Sequence, residues 1–347
     1  MGSDKMIFWF EEIGKEHNDT VGKKCANLGV MSQMGLPVPP GFAISIDLYR
    51  RFIQETGAIE KISRHVENLG DLEGQGITGY ENLSRTIQSI IEEREMPHGV
   101  QELIHSYYHG LCKKVEIDDV AVSVRSAGTE SRPGMFETYL NVKGTKEVLD
   151  KVKKVWASAY TARAIAFRVN KDLPVIGDEL GVAVPKMVNA CSAGIGFTVN
   201  PITGDASRVI VESNWGLGEG VVSGVENVDR FIVEKETLKI TERIVGRKIN
   251  QVLNKKNGVA WEDVSPDKQC LPSLNDEEIK EIARLAMMIE ERLGSPQDIE
   301  WAVDIDSSFP KNIFLLQTRP AKVVIKSPKS ATDHIAGLMA KSFKTLR

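Results

Sequence analysis

The chain carries two kinds of hydrophobic pattern, and the change falls within its first half. From the strand-like start at Ile7 to Val115, most of the sequence reads as helices separated by glycine and proline, as in VGKKCANLGVMSQM, DLYRRFIQETGA and ENLSRTIQSIIEERE. From Asp119 onward short β-rich runs bounded by glycines appear, beginning with the alternating VAVSVRS. The pattern predicts an α+β protein with a helical N-terminal part.

Three later segments carry clear signals of single elements. Residues 146–170 are predicted to form a long helical stretch, and FIVEKETLKITERIV is typical of a hairpin. NDEEIKEIARLAMMIEERLG has Asn275 at the N-cap position and Glu278 three residues later, which is the pattern of a capping box. Gly294 stands where a helix-terminating glycine belongs. We therefore expect a helix between Asn275 and Gly294.

Composition and sequence pattern argue against several classes of function. Lys and Arg number 44 against 48 Asp and Glu, a net charge of −4, which lacks the basic excess of non-specific nucleic-acid binding. No run approaches the roughly 18 apolar residues of a membrane span, and the start MGSDKM does not resemble a signal peptide. The four cysteines form no CxxC pair that would indicate a thiolate metal site. We expect a cytoplasmic protein with neither a nucleic-acid nor a membrane partner.

The sharpest constellation lies in SPQDIEWAVDIDSSFPKNIFLLQTRP, which predicts a hairpin. If the turn is centred between residues 308 and 309, Glu300 lies opposite Gln317 and Asp298 opposite Arg319, with all four on one face. Adjacent carboxylates repel each other unless a cation such as Mg²⁺ lies between them, and an amide and a guanidinium can hold phosphate oxygens. A solvated face with a surface ion pair fits this spacing equally well.

Two further positions could bind phosphate. Arg125 ends a strand and precedes a loop of small and hydroxyl residues that reaches Gly134, which suits either a phosphate-wrapping loop or an ordinary surface loop. Lys24 opens a helix, where the dipole disfavours a cation unless an anion is bound, although exposed lysines are common at helix starts. Neither a Walker A loop nor a dinucleotide fingerprint is present in the sequence.

Seven segments occur in an order that identifies a family resemblance. They are VGKKCANL at Val21, VRS at Val124, ETYLNV at Glu137, NPITG at Asn200, ESNWGLGE at Glu212, DIEWA at Asp298 and LQTRP at Leu316. Together they resemble the ATP-binding domain of phosphoenolpyruvate synthase and pyruvate phosphate dikinase, over residues 18–320. The resemblance implies an ATP-grasp fold in which two lobes close over MgATP. Residues 1–190 would form the N-terminal lobe, 191–325 the C-terminal lobe with the metal-binding hairpin, and 326–347 a tail or docking segment.

The resemblance also implies roles for nine side chains. Lys24 and Arg125 would contact the ATP phosphates as the catalytic pair. Asp298, Glu300 and Gln317 would hold the metal, and Gln317 the nucleotide as well. The other nucleotide-binding residues implied are Arg163 and Arg168 near the phosphate tail, Glu212 near the nucleoside, and Arg319 beside the acidic pair. The family usually has Gly-Gly-Lys where this sequence has Gly22-Lys23-Lys24, so either lysine could be the one that acts.

Enzymes of this family also carry a swivelling domain whose histidine accepts a phosphoryl group. His334, in TDHIA, resembles that motif weakly because no glycine pair precedes it. The resemblance therefore implies the ATP-binding subunit of a split dikinase, which transfers the β-phosphoryl group of ATP to a histidine on a larger partner subunit that also carries the acceptor site. AMP and phosphate would be released. The organisation resembles that of two-subunit phenylphosphate synthases, which implies phenol as acceptor. The alternatives are an ATP-binding regulatory protein and a stand-alone ATP-grasp kinase or ligase that forms ADP.

Overall fold

Helices and antiparallel sheets make up the protein, as the hydrophobic pattern predicts. The computed structural model describes residues 5–68, 72, 74, 76–130, 132, 134–222, 227–256 and 258–322. The helices in these ranges are α1 (Asn18–Val21), α2 (Lys23–Gln33), α3 (Ile46–Glu55), α4 (Ala58–Glu67), α5 (Gly76–Glu92), α6 (His98–Val115), α7 (Thr145–Ala157), α8 (Ala162–Val169), α9 (Glu219–Val222) and α10 (Asp276–Leu293).

The strands divide into sheets that follow each other along the chain. Those of the N-terminal part are β1 (Ile7–Trp9), β2 (Gly41–Ile44), β3 (Val122–Ala127), β4 (Thr138–Val142) and β5 (Gly181–Pro185). Those of the C-terminal part are β6 (Ala190–Phe197), β7 (Arg208–Trp215), β8 (Asp229–Glu234), β9 (Ile240–Ile244), β10 (Asn250–Asn254), β11 (Val259–Asp263), β12 (Gln297–Asp304) and β13 (Ile313–Pro320).

The first sheet has the order β1-β2-β5-β3-β4, and its recorded pairings are antiparallel. Its strands are short, and all except β4 are largely buried because both of their faces are covered. One face packs with α3 to α8 in a large apolar core that includes Phe52 and Trp156. Helix α2 covers the opposite face through Leu28 and Met31. Strand β2 is missing from the sequence prediction, since four buried residues between helices show no alternation.

The second sheet has the order β13-β12-β6-β7-β8-β9, again antiparallel. Helix α10 packs on one face through Ile279, Ile282 and Ile289, which join the core that contains Trp301. This core also includes α2, so one apolar cluster reaches from the first sheet to the second. The chain passes between the sheets in the short segment between Pro185 and Ala190. Strands β10 and β11 form a separate ribbon.

Two of the predicted single elements are confirmed. Helix α10 begins after Asn275, whose side chain accepts from the Glu278 amide at 2.9 Å while Glu278 Oε2 accepts from the Asn275 amide at 2.9 Å. The helix ends at Gly294 with φ of 69°. Strands β8 and β9 form the predicted hairpin.

The predicted long helical stretch over residues 146–170 is helical along most of its length, but it forms two helices rather than one. A 3₁₀ turn over Ser158–Tyr160 separates α7 from α8. Thr161 has extended backbone, with ψ of 152°, and its hydroxyl accepts from the Ala164 amide at 3.2 Å. A threonine that caps a new helix competes with continuation of the old one, so the chain turns here although the apolar pattern continues.

Among the described residues no helix has the length and hydrophobicity needed to cross a bilayer. The predicted tail, residues 326–347, and His334 within it lie outside the described ranges. Their predicted roles stay predictions.

Candidate functional site

A cleft of about 440 Å³ lies between the two sheets. Strand β3 and the start of α2 contribute Arg125 and Lys24 to its lining from the first sheet's side. The hairpin of β12 and β13 contributes Asp298, Glu300 and Gln317 from the second. These residues are separated by up to almost 300 positions in the sequence, and the fold brings them to one place.

The β12–β13 hairpin has the pairing that the sequence predicts. Asp298 pairs with Arg319 and Glu300 with Gln317, so the four side chains share the face that borders the cleft. The Arg319 guanidinium Nε lies 3.2 Å from Asp298 Oδ2. Burial raises the pKa of the Asp298 carboxyl, and the Arg319 charge opposes this shift. The arrangement is therefore a partly desolvated acidic pair, not a freely solvated strand face.

The predicted register ends at a bulge directly beside the site. Trp301 pairs with Leu315, so Leu316 is one extra residue in β13. A bulge leaves the extra residue outside the ladder of hydrogen bonds. The Leu316 carbonyl accepts instead from Arg125 Nη1 at 3.0 Å. The bulge thus supplies a backbone acceptor that the hairpin pattern alone does not reveal.

Arg125 joins the two sheets at the acidic pair. Its Nη2 donates to Glu300 Oε2 at 3.1 Å and to Gln317 Oε1 at 3.2 Å. The Arg125 and Glu300 side chains are 16% and 26% exposed, so the ion pair is only partly screened by water. The guanidinium also lines the cleft.

Lys24 reaches this cluster because Gly22 allows a close approach of two segments. Gly22 has φ of 82°, and a Cβ there would overlap the Ala127 carbonyl oxygen at the end of β3. The Lys23 amide donates to the Gly128 carbonyl at 2.8 Å, which fixes the helix start beside the strand end. Burial, with the neighbouring Arg125 charge, lowers the pKa of Lys24 to about 8, while Glu300 opposes the shift.

The two lysines of the Gly22-Lys23-Lys24 segment both line the cleft. Lys24 interacts electrostatically with both Arg125 and Glu300. Crowded, partly buried cations are stabilised by an anion placed between them. An anion in the cleft would therefore stabilise the charges of Lys24 and Arg125.

Three residues with predicted nucleotide roles do not line the cleft. Arg168 is buried and donates to Asp178 and to the Pro174 carbonyl. Arg163 is exposed and donates to the Gly134 carbonyl at 2.6 Å. Both arginines therefore donate hydrogen bonds to residues of the N-terminal part of the chain.

Glu212 is the third, and it lies on the same face of the second sheet as Glu300. Ile195 pairs with Glu300 on one side and with Glu212 on the other, which separates the two acids by two strand spacings, roughly 10 Å. Arg230 Nη2 donates to Glu212 Oε1 at 2.6 Å. Glu212 is thus paired with a neighbouring strand and lies beyond the cleft lining.

The cleft also contains charged residues to which the sequence analysis gave no role. Lys186 borders it from within the segment that joins the sheets, with Nζ 3.9 Å from Asp304 Oδ2. The sequence does contain a feature that could have pointed to Lys186, because it is the one charged residue between Glu179 and Asp205. Glu219 also lines the cleft, and burial raises its pKa while the Arg125 charge opposes the shift.

The other end of the cleft is apolar. Its lining side chains come from β4, the joining segment, the turn after β7 and the hairpin; they include Leu140, Met187, Val188, Leu217, Ala302 and Leu316. The cleft therefore has a charged end and an apolar end, which suits a ligand with an anionic part and a flat, weakly polar part.

The sequence profile of the family described as pyruvate phosphate dikinase, AMP/ATP-binding domain, matches residues 18–337. The chain belongs to this family. The resemblance predicted from its seven ordered segments is thereby confirmed, and it places the chain among the ATP-binding domains of phosphotransfer enzymes.

Several relatives support the same family. A phosphoenolpyruvate synthase of Aeropyrum pernix is 38% identical and matches 94% of this chain. A probable phosphoenolpyruvate synthase of Methanocaldococcus jannaschii is 39% identical over 94% of the chain, and one of Staphylothermus marinus is 36% identical over 99%. The match makes up 43%, 27% and 44% of those relatives, so the chain spans less than half the length of each.

Proposed function

We propose that the cleft binds MgATP and presents its β-phosphorus to a histidine on a larger partner subunit. The observation that carries this proposal is the convergence of Lys24 and Arg125 from one sheet with Asp298, Glu300 and Gln317 from the other. Six cationic and four anionic side chains line the cleft among the described residues. Their net positive charge suits a triphosphate.

The shape of the cleft supports a nucleotide rather than phosphate alone. Its volume of about 440 Å³ lies within the range of small-molecule sites, roughly 300–1,000 Å³. We assign the apolar end, with Met187 and Leu217, to the base, and the charged end to the phosphates. The triphosphate would then extend toward Lys24 and Arg125.

The donor groups fit Mg²⁺ that arrives with a nucleotide. No three His, Cys, Asp or Glu side chains form a metal site in the part of the chain that the structure describes. Asp298, Glu300 and the Gln317 oxygen are hard oxygen donors, and proteins usually hold Mg²⁺ with one or two carboxylates plus substrate phosphates. We propose these three residues as its protein ligands. When bound, Mg²⁺ offsets charge on the phosphate oxygens.

The chemistry requires positioning and charge stabilisation from this chain. Attack by the partner's histidine forms a nitrogen–phosphorus bond at the β-phosphorus and breaks the bond from that phosphorus to the oxygen shared with the α-phosphate, which releases AMP. Water then takes the γ-phosphoryl group as phosphate, and the β-phosphoryl group stays on the histidine. Arg125 and Lys24 stabilise the charge that develops on phosphate oxygens. Neither forms a covalent intermediate.

We propose that the two sheets belong to two ATP-grasp lobes, residues 1–190 and 191–325, which close over the nucleotide. Residues 326–347 would dock on the partner. Use of ATP favours a cytoplasmic location.

We propose phenol as the final acceptor, by analogy with phenylphosphate synthase. A second candidate follows from the relatives, which are named phosphoenolpyruvate synthases. In that case the same phosphohistidine would serve formation of phosphoenolpyruvate. The two candidates share every step in which this chain takes part, because the acceptor would bind elsewhere.

The test uses the chain mixed with its larger subunit and with ATP labelled in the β-phosphate. We expect label on a histidine of the larger subunit, with AMP and phosphate formed together. Addition of phenol or of pyruvate then identifies the acceptor by release of the label. Formation of ADP by this chain alone would favour a stand-alone kinase or ligase. ATP binding without AMP formation would favour a regulatory protein.

A further inference from the structure

The contacts of Arg125 involve the same oxygens that we assign to the metal. Its Nη2 donates to Glu300 Oε2 at 3.1 Å and to Gln317 Oε1 at 3.2 Å. The remaining ligand, Asp298, is paired with Arg319 at 3.2 Å. Each of the three donor groups therefore already has a guanidinium partner.

The local charge also opposes a free metal ion. The carboxylates of Asp298 and Glu300 are balanced by the guanidinium groups of Arg125 and Arg319. Lys24 adds a further positive charge that interacts with both Arg125 and Glu300. In a partly buried site such charges act with far less screening than in water, so a lone divalent cation meets a net positive cluster.

We propose that Arg125 is an interlobe latch that closes the metal site to free divalent cations and opens it to a metal–nucleotide complex. This inference rests on the proposed nucleotide site. A triphosphate offers the Arg125 guanidinium a second anion, and arginine binds phosphate oxygens through paired N–H groups. When Arg125 moves from Glu300 to phosphate, the oxygens of Glu300 and Gln317 turn to the metal.

The exchange also acts on the contact between the sheets. Arg125 belongs to β3 of the first sheet, and its three acceptors belong to β12 and β13 of the second. The acceptor supplied by the Leu316 bulge lets the guanidinium keep one bond to β13 while it releases the two side chains. Asn27 Nδ2 donates to the Thr318 carbonyl at 2.7 Å and maintains contact between α2 and the same strand.

The test measures Mn²⁺ binding without turnover, from the free Mn²⁺ signal in electron paramagnetic resonance. The proteins are the wild type, Arg125→Gln, and Arg243→Gln as a matched control that removes an arginine of an exposed ion pair on β9. Without nucleotide we expect Arg125→Gln to bind Mn²⁺ at least about 10-fold more tightly than the wild type, because one positive charge beside the metal is removed. Arg243→Gln should match the wild type.

A second measurement uses the wild type alone, with a non-hydrolysable ATP analogue. We expect the analogue to bring bound Mn²⁺ to the protein at concentrations where Mn²⁺ by itself does not bind, after correction for Mn²⁺ held by the analogue in solution. Tight Mn²⁺ binding by the wild type without the analogue would overturn the latch and leave the nucleotide site in place. Failure of the wild type to bind the analogue with Mn²⁺ would overturn the nucleotide site and the latch with it.

Discussion

Two ion pairs of the protein differ in how many hydrogen bonds their carboxylates accept. Lys248 and Asp229 are both 0% exposed, with Lys248 Nζ 2.6 Å from Asp229 Oδ1. Arg125 and Glu300 also form a pair away from bulk water, but they keep 16% and 26% exposure. The first pair lies within the second sheet's own structure, whereas the second joins the two sheets.

The donors that reach the two carboxylates show the difference. Asp229 Oδ1 accepts from Lys248 Nζ and from the Gly246 amide, and its Oδ2 accepts from the amide and hydroxyl of Ser273 at 2.7 and 2.8 Å. Within the described residues, Glu300 accepts one hydrogen bond, from Arg125. A buried charge is stable when its hydrogen-bonding capacity is filled. Burial of charge alone therefore does not mark a functional site, whereas a carboxylate beside a cleft with unused hydrogen-bonding capacity can still bind a ligand.

The largest effect on activity should come from the pair of Arg125 and Glu300, whose carboxylate accepts only one hydrogen bond within the described residues. Arg125→Ala or Glu300→Ala should lower the rate of ATP-dependent labelling of the partner's histidine by about 10³-fold or more, since charge stabilisation at phosphoryl transfer is removed. Thermal unfolding of these variants should stay close to that of the wild type. Retained labelling in either variant would refute the assignment of the cleft.

Disruption of the buried pair of Lys248 and Asp229 should instead affect the stability of the protein. Asp229→Ala leaves the Lys248 ammonium buried without its partner and should lower the free energy of unfolding by about 3–5 kcal/mol. Denaturant unfolding measures this loss. The double change Asp229→Ala and Lys248→Met should recover part of it, because no lone charge then remains. A stable Asp229→Ala single variant would show that the two pairs do not differ as described.

Lys24 gives a pH test of the cleft. Its pKa of about 8 means that it is mostly charged below that pH and loses charge as the pH rises through it. A bound triphosphate favours the charged form, so affinity for ATP should be constant on the acidic side of pKa and fall by up to about 10-fold per pH unit above it. Binding near this pH should take up protons, which calorimetry in buffers of different ionisation enthalpy detects.

Lys24→Met keeps the length of the side chain and removes its charge. It should bind ATP more weakly, and both the proton uptake and the decline in affinity through this pH range should disappear. An unchanged pH profile in this variant would assign the titration to another group, with Lys23 the next to test.

The smallest effect should come from an exposed pair. Arg243 Nη1 lies 2.5 Å from Asp276 Oδ1, and the two side chains are 44% and 55% exposed. Arg243→Ala should change the free energy of unfolding by less than about 1 kcal/mol, and ATP affinity not at all. This variant shows what loss of an arginine does when neither the core nor the cleft is involved. A large effect here would mean that the effects expected for the Arg125–Glu300 and Lys248–Asp229 pairs are not specific to those pairs.

Local pattern was enough to predict several parts of the molecule. Alternation with a period of two residues fixes which side chains share a strand face, and a short turn fixes the pairing of two adjacent strands. Asp298, Glu300, Gln317 and Arg319 therefore lie together as expected. The caps of α10 follow from Asn275, Glu278 and Gly294 for the same reason, since the groups that satisfy one another are close in sequence.

Other features depend on contacts between distant segments. Arg168 lies near the cleft motifs in sequence but is held by Asp178, and Arg163 is held by the Gly134 carbonyl. Lys186 lines the cleft because it lies in the segment through which the chain passes from one sheet to the other. The bulge at Leu316 shifts the register by one residue, and its effect appears only where Arg125 from the other sheet reaches the freed carbonyl.

The sequence by itself determined the class of the protein and the pairing of the acidic hairpin. It also singled out about half of the charged groups that line the cleft: Lys24, Arg125, Asp298, Glu300 and Arg319. The tertiary structure alone decided that Arg125 meets Glu300 and that Lys24 lies beside them. Electrostatic interactions in a partly buried site depend on distances of a few ångströms between atoms, and for Lys24, Arg125 and Glu300 these distances are set by the packing of α2 and two sheets rather than by any spacing along the chain.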